Sequence, residues 1–276
     1  MPYLIGFVIA LFIALTGVGA GTITVPILVL FLGVPAPIAV GIGLMFSSAI
    51  KLILVPAQIV RGNIAWRTLG FMLLGGVPGV LLGSLFLKHL ITAGSQNLLN
   101  GILGAILVTT AGWQLFFAIR PLKRQSGRKD RTLLLPWLMF PVGAEVGFSS
   151  AGAGALGSAA LLGLTPLEPA QVVGTDIAFG FVVSLIGSGA HWFSRGAQTG
   201  LLLQLIAGGV VGAIGGTMLS THIPRRPLRI ALWVWLIILG GQFLVNSYKS
   251  PATQQKPVAR HPEIIGWIEP AEIWKK

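Results

Sequence analysis

The sequence predicts an all-α polytopic membrane protein made of two inverted-topology repeats, each with about five hydrophobic segments. Hydrophobic residues make up 54% of the 276 residues and charged residues only 9%, whereas soluble domains carry about 25% charged residues. Several continuous apolar stretches approach or exceed the roughly 20 residues that cross a bilayer. Two Gly-rich motifs also lie about 133 residues apart, which indicates an internal duplication.

The two motifs, Gly17-Val-Gly-Ala-Gly21 and Gly152-Ala-Gly154, each interrupt an apolar run. Later glycines match at the same offset, and these pairs are Gly41 with Gly174, Gly75 with Gly208, Gly76 with Gly209, Gly79 with Gly212 and Gly83 with Gly216. In membrane proteins, duplicated halves with interrupted helices indicate a carrier whose site lies at the repeat interface. The three- and four-residue spacing of the later glycines predicts helix faces that approach each other closely.

The hydrophobic segments of the first half cover about residues 3–18, 21–33, 37–60, 67–87 and 96–119. Those of the second half cover about residues 132–150, 153–164, 169–193, 199–220 and 228–247. The Gly motifs separate the first two segments of each half, and loops with cations separate most of the later ones. The predicted organisation is a first transmembrane repeat (1–119), a basic cytoplasmic linker (120–131), a second transmembrane repeat (132–247) and a polar C-terminal tail (248–276).

The second segment of each half is too short to cross the bilayer alone. At about 1.5 Å per residue, a helix of some 12 residues reaches only about 18 Å. Either the first two segments form a membrane-embedded, re-entrant hairpin, or each joins flanking residues in a tilted crossing. Both arrangements enter and leave the membrane on the same side.

The cations predict the orientation of the segments. The linker holds six Lys and Arg residues and is therefore predicted to be cytoplasmic. Counting from it places the loop of Arg61 and Arg67 and the loop of residues 225–229 inside, and the loops of Lys88 and Arg195 outside. Because five is an odd number, the two halves have opposite orientations and both termini are extracytoplasmic.

Composition also limits the partners of the chain. The net charge is +12, but the cations lie mostly in short loops or near the C-terminus, where they set topology. No basic folded face with aromatics is visible, so we expect no nucleic-acid partner. The absence of Cys excludes disulfides and thiolate metal sites, and we expect no metal or cofactor. The N-terminus has no basic region before its apolar run, so residues from Tyr3 onward are interpreted as a mature span.

The interrupted helices provide the first candidate binding residues. A helix that restarts at Gly21-Thr22 or at Gly154 exposes free backbone N–H groups and the positive end of its dipole. Such groups bind anions without a basic side chain. Hydroxyls near the breaks, including those of Thr22 and Ser150, can add donors. The alternative is that each break is a plain kink that serves helix packing.

Lys51 and Asp176 are ionisable residues at membrane depth. A charge there costs at least about 2.5–3.5 kcal/mol, so it usually faces a partner or a wet cavity. Inverted topology places both residues roughly 10–14 Å from the cytoplasmic end of their segments, and we predict that they meet. Ser47 and Ser48 precede Lys51 and are assigned with it to substrate binding. The alternatives are a snorkelling Lys51 and an Asp176 that stabilises the first turn of its helix.

Three residues are candidates for proton coupling. A carboxylate that takes up a proton on one side and releases it on the other can couple transport to the proton gradient. Asp176 and Glu145, which precedes the second break, are placed for this role. His191, near the end of the eighth segment, is a third candidate, with a structural role as its alternative.

The sequence is similar to the TauE/SafE family of sulfite exporters, also called the toluene sulfonate uptake permease family. The residues that carry this resemblance are Gly17-Val-Gly-Ala-Gly-Thr-Ile-Thr-Val-Pro26, Ala39-Val-Gly41, Val146-Gly-Phe-Ser-Ser-Ala-Gly-Ala-Gly154, Val173-Gly-Thr-Asp176, Gly189-Ala-His191 and Gly208-Gly-Val-Val-Gly212. The resemblance implies a binding site around Gly19, Gly21, Gly152, Gly154, Thr175 and Asp176. The family commonly has a Pro shortly after the second Gly motif, where this chain has Gly157-Ser-Ala-Ala160.

The predicted function, as the resemblance implies, is secondary transport of sulfite or organosulfonates across a bacterial or archaeal cell (inner) membrane. The expected partners are the anion, protons, membrane lipid and, in a homodimer, a second copy. A different small anion, such as a carboxylate, is an alternative substrate. An intramembrane enzyme using His191, Asp176 and Ser is disfavoured, because about 15 residues of one helix hold His191 and Asp176 over 20 Å apart. A scaffold that transports nothing leaves Lys51 and Asp176 unexplained.

Overall fold

The computed structural model describes residues 1–16, 19–92, 96–119, 130–152, 154–192, 199–219 and 225–249, and these ranges contain helices joined by short loops, with no strand. The helices of the first half are α1 (Pro2–Thr16), α2 (Ala20–Leu32), α3 (Ala36–Val60), α4 (Trp66–Thr92) and α5 (Gln96–Ile119). A 3₁₀ turn (Thr132–Leu134) leads into the second half, which contains α6 (Leu135–Ser149), α7 (Ala155–Leu164), α8 (Pro169–Trp192), α9 (Thr199–Leu219) and α10 (Arg225–Lys249).

These helices coincide with the predicted segments to within a few residues. The largest difference is in α4, which continues to Thr92 instead of ending near residue 87. Lys88 was expected in a loop but lies in the last turns of the helix. A lysine is a good helix former, so one cation marks the end of an apolar run without ending the helix.

Six stretches of the described residues are long and apolar enough to cross a membrane. They are Ala36–Val60, Trp66–Ile91, Leu98–Phe116, Thr132–Ser149, Pro169–Ala190 and Thr199–Leu219. The spans in α3 and α8 are the most enclosed, since 61% of each lies buried inside the protein, so these two helices form the centre. As predicted, α2 and α7 are short, with 13 and 10 residues, and reach only about 20 and 15 Å.

Each half packs mainly against the other half. The extensive helix contacts are α1 with α9, α4 with α6, α5 with α10 and α3 with α8. Buried rings fill the spaces beside the central pair: the Phe179 ring of α8 lies against Gly76 of α4, and the Phe46 ring of α3 lies against Gly209 of α9. The core is therefore built across the two halves rather than within each of them.

Glycines let two of these helix pairs come together at backbone distance. The glycines and the backbone they meet are Gly75 with Pro136, Gly79 with Phe140 and Gly83 with Ala144 between α4 and α6, and Gly208 with Tyr3, Gly212 with Phe7 and Gly216 with Leu11 between α9 and α1. In both pairs the residue numbers rise together, so α4 runs parallel to α6, and α1 runs parallel to α9. The glycine spacing thus marks helix contacts, as the sequence predicted.

We expect Gly212→Ala to destabilise the protein and Gly215→Ala, on the same helix, to leave it intact. A Cβ at Gly212 would collide with the carbonyl oxygen of Phe7, whereas nothing lies within 4 Å of one at Gly215. Forcing a methyl into a closed contact costs about 1–3 kcal/mol, while Ala at an open helical site gains up to about 1 kcal/mol. Thermal unfolding in detergent, followed by Trp fluorescence, measures both. Equal shifts of the midpoint would contradict the close α1–α9 contact.

One end of the bundle contains the α3–α4 loop, the start of α8 and the end of the basic linker. The backbone oxygen of Asn63 lies against Gly174, and the N–H of Arg131 donates to the oxygen of Leu164 at 2.9 Å. Hydrogen bonds from Thr132, with a smaller effect of Arg67, hold the pKa of the exposed Asp130 below its usual value. The cationic α3–α4 loop and the end of the basic linker therefore lie on the same side.

Candidate functional site

The second Gly-rich motif interrupts the backbone between α6 and α7. Ser150 ends α6 in the left-handed region with φ of 61°, and Gly152 and Gly154 follow with φ of 86° and 117°. Side chains are rarely accommodated at such angles, and glycine adopts them freely. In the first half, Gly17 and Val18 lie outside the described residues, and α2 begins at Ala20 directly after Gly19.

The start of α2 is buried against this break. The first turns of α2 are enclosed, and Gly19 supplies no side-chain hydrogen bond to the first N–H groups. The carbonyl and hydroxyl of Ser150 lie against Gly21, and its Oγ lies 3.0 Å from the position that a Cβ of Gly43 would take. The Ser150 Oγ is buried without a hydrogen-bond partner. The structure thus brings Gly21 and Ser150 together and leaves a hydroxyl available.

Lys51 of α3 and Asp176 of α8 lie near each other in the centre of the protein. Lys51 is 7% exposed and Asp176 is 4% exposed, and each acts electrostatically on the other. Neither the ammonium nitrogen of Lys51 nor Oδ1 of Asp176 has a hydrogen-bond partner. A buried charge without hydrogen bonds is costly. The Lys51 nitrogen and Oδ1 of Asp176 can therefore each form a hydrogen bond with a ligand.

The first turns of α7 hold the other oxygen of Asp176. The Ser158 hydroxyl donates to Oδ2 at 2.6 Å, and Oδ1 lies where a Cβ of Gly157 would be. The positive end of a helix dipole favours a negative charge at this place. In the stretch where the family commonly has a Pro, Gly157 of this chain leaves room for the carboxylate and Ser158 binds it.

Glu145 lies on the other side of the break. Its Oε1 accepts a hydrogen bond from Thr110 of α5 at 2.5 Å, and its Oε2 lies 2.9 Å from the position of a Cβ at Gly152. Sequence reasoning found Glu145 but missed Thr110, since a Thr in an apolar helix commonly bonds its own backbone. The two carboxyl groups therefore contact opposite ends of the α6–α7 interruption.

The predicted serines of α3 have different surroundings. Ser47 shares a hydrogen bond of 3.2 Å with Ser184 of α8, so it joins the central helices one turn from Lys51. Ser48 donates to the backbone oxygen of Met45 at 2.9 Å. Local bonds of this kind satisfy a hydroxyl inside the membrane without a ligand.

The Thr175 side chain forms its hydrogen bond away from Lys51, Asp176 and the α6–α7 break. Its Oγ1 accepts the N–H of Ala65 at 2.9 Å and so fixes the start of α4 to α8. Thr22 is buried in the first turn of α2. His191 belongs to α8, but its side chain lies outside the described residues.

Comparison with known proteins agrees with the membrane architecture. The profile of the family described as "Sulfite exporter TauE/SafE" matches residues 3–243. "Probable membrane transporter protein YjnA" of Bacillus subtilis (strain 168) is 28% identical over 210 residues, which cover 71% of this chain and 81% of that protein. No solved structure matches the chain significantly. The family match spans nearly all of the helical region, and the chain therefore belongs to the sulfite exporter TauE/SafE family of membrane transporters.

Proposed function

We propose that the protein is a proton-coupled, alternating-access carrier of small sulfur-containing anions, sulfite or organosulfonates. The observation that carries this proposal is the buried pair of Lys51 and Asp176 beside the α6–α7 break, with an unpartnered polar atom on each residue. Charges at this depth are costly and usually serve a substrate or ion path. The family description supports a sulfur oxyanion, and a carboxylate remains the second candidate substrate because it carries the same charge.

The helix contacts support the inverted-repeat architecture. The contact of Gly79 with Phe140 has its counterpart 133 residues away with the two halves exchanged, in Gly212 with Phe7. Between α3 and α8 the numbers run in opposite directions, as Ser47 meets Ser184 while Lys51 faces Asp176. Two repeats of opposite orientation place helices of the same rank, such as α3 and α8, antiparallel to each other. They also allow parallel contacts between helices of different rank, such as α4 and α6. The repeats would then be residues 1–119 and 132–247, with the site at their interface.

The proposed orientation places the cationic end of the bundle in the cytoplasm. Arg67 and Arg131 lie at the same end of the bundle, and short loops rich in cations stay inside. Lys88 then lies near the opposite surface, and both termini are extracytoplasmic. In this orientation Lys51 and Asp176 lie about 10–14 Å from the cytoplasmic ends of α3 and α8.

Within the site, Lys51 and the N–H groups at the buried start of α2 would bind the anion, and the Ser150 hydroxyl would add a donor. Asp176 or Glu145 would carry the proton. A catalytic role for Asp176 with His191 is not supported, since α8 is one helix and 15 residues along it correspond to about 22 Å.

Flux into liposomes that contain the purified protein tests this function. We expect saturable uptake of labelled sulfite or methanesulfonate that is accelerated by a pH gradient. Asp176→Asn should lower the gradient-driven rate about tenfold or more, because the coupling carboxylate is lost. Asp130→Asn is the matched control, since Asp130 is exposed outside the spans. Absence of saturable flux for these anions and for acetate would contradict the proposal, and unchanged coupling in Asp176→Asn would remove Asp176 from its role.

A further inference from the structure

We infer that the Lys51–Asp176 pair makes the carrier accept monovalent oxyanions, each together with one proton, so that transport is electroneutral. This inference rests on the proposed function and adds its charge selectivity and stoichiometry. It follows from three features of the centre: the burial of the pair, its zero net charge, and the position of Asp176 at the start of α7.

The start of α7 is already occupied by an anionic group of the chain itself. Asp176 receives the Ser158 hydroxyl on Oδ2, and Lys51 provides the opposite charge. A substrate anion that binds Lys51 therefore meets the carboxylate of Asp176 in the same buried space. Two like charges in such a site repel each other strongly, so both cannot remain ionised.

Uptake of one proton by Asp176 resolves this conflict. The empty pair has a net charge of zero, an added monovalent anion makes it −1, and protonation of the carboxylate returns it to zero. The proton comes from water on the side to which the site is open. It belongs on Oδ1, since Oδ2 accepts from Ser158 while Oδ1 has no partner. The resulting O–H can donate to an oxygen of the substrate while Lys51 donates to another.

No other charged group of the described residues acts electrostatically on the Lys51–Asp176 pair. In the described part of the chain, Lys51 of α3 is the charged residue that acts on Asp176. The α4 side chain near Gly157 is Met72, α7 contributes the neutral Ser158, and the carboxylate on α6, Glu145, is bonded to Thr110. A divalent anion would leave a buried net charge of −1, which is costly in this environment. Alkanesulfonates and hydrogen sulfite therefore fit the site, and sulfate does not.

Methanesulfonate is the suitable probe, because it stays ionised in water and does not leak through lipid as a neutral acid. With wild-type protein in liposomes, we expect uptake driven by an acidic outside, a one-to-one ratio of protons to anions by internal pH dye, and no sulfate uptake. A potassium-clamped potential of about 100 mV should change the rate by less than about twofold, whereas uncompensated movement of one charge would be biased roughly 50-fold.

Asp176→Asn should remove the response of net methanesulfonate uptake to the pH gradient and make the residual net uptake sensitive to the potential, because the empty site then carries the uncompensated charge of Lys51. Potential-driven uptake by the wild type, a proton ratio of zero or two, or sulfate transport equal to methanesulfonate transport would overturn the inference. These wild-type measurements test the charge selectivity and the stoichiometry even where Asp176→Asn does not fold. Absence of saturable flux for all anions would instead contradict the proposed function.

Discussion

Lys51→Met is expected to abolish saturable anion flux and to lower the free energy of unfolding by about 3–5 kcal/mol. The substitution retains a long apolar side chain in α3 but removes the charge opposite Asp176, which is only 4% exposed. Removing one member of a buried charge pair leaves the other uncompensated, and this is the source of the cost. Flux into liposomes and unfolding in detergent, followed through the eight Trp residues, measure the two effects.

The double variant Lys51→Met/Asp176→Asn separates stability from function. Both residues are then neutral and close to their original size, so most of the lost stability should return. Flux should not return, because the ammonium group that binds the anion is absent. Lys88→Met is the matched control, since Lys88 is exposed and its loss should cost no more than about 1 kcal/mol. A single variant as stable as the wild type, or a double variant with normal flux, would refute the charge-pair interpretation.

The sequence was sufficient for the helices and for the general position of the charged residues. Apolar runs, Gly interruptions and cationic loops predicted the helices, including the short α2 and α7. Comparing depths in oppositely oriented halves predicted that Lys51 and Asp176 meet, and the structure places them within electrostatic reach. Their roles in binding and coupling remain predictions.

The sequence could not predict which groups surround Asp176. The bond from Ser158 and the space at Gly157 depend on how α7 is rotated, and this rotation follows from the backbone angles at Ser150, Gly152 and Gly154. The same limit applies to Thr110, whose contact with Glu145 joins different halves. Periodicity identifies residues that leave water but does not give the rotation of one short helix against another.

The two halves of the chain share matched glycines but differ in the residues at the proposed site. At the 133-residue offset, Asp176 corresponds to Gly43 and Lys51 corresponds to Ser184. Gly43 lies against Ser150 of the break, whereas Asp176 binds Ser158. Matched glycines preserve the helix contacts in both halves, while each half provides one charge that its counterpart lacks. This asymmetry is why the described residues contain one Lys51–Asp176 pair between α3 and α8 and no second pair at the matching positions.

Gly154→Ala is expected to destabilise the protein by about 1–3 kcal/mol and to lower flux per folded molecule at least about tenfold. Gly154 has φ of 117° and ψ of −58°, which a residue with a Cβ adopts only with strain of this size. Relief of the strain would rotate the start of α7, and Ser158 lies only one turn further along that helix. Gly163→Ala is the matched control on α7, because nothing lies within 4 Å of a Cβ there and Ala favours the helix.

Flux and stability together show what the break contributes. If Gly154 serves only to separate α6 from α7, flux should fall no more than the amount of folded protein does. If it also orients the Ser158 hydroxyl toward Asp176, flux per folded molecule should fall at least about tenfold in Gly154→Ala and stay normal in Gly163→Ala. Normal flux per folded molecule in Gly154→Ala would show that the angle at residue 154 does not position the carboxylate, and α8 would then have to hold Asp176 in place without α7.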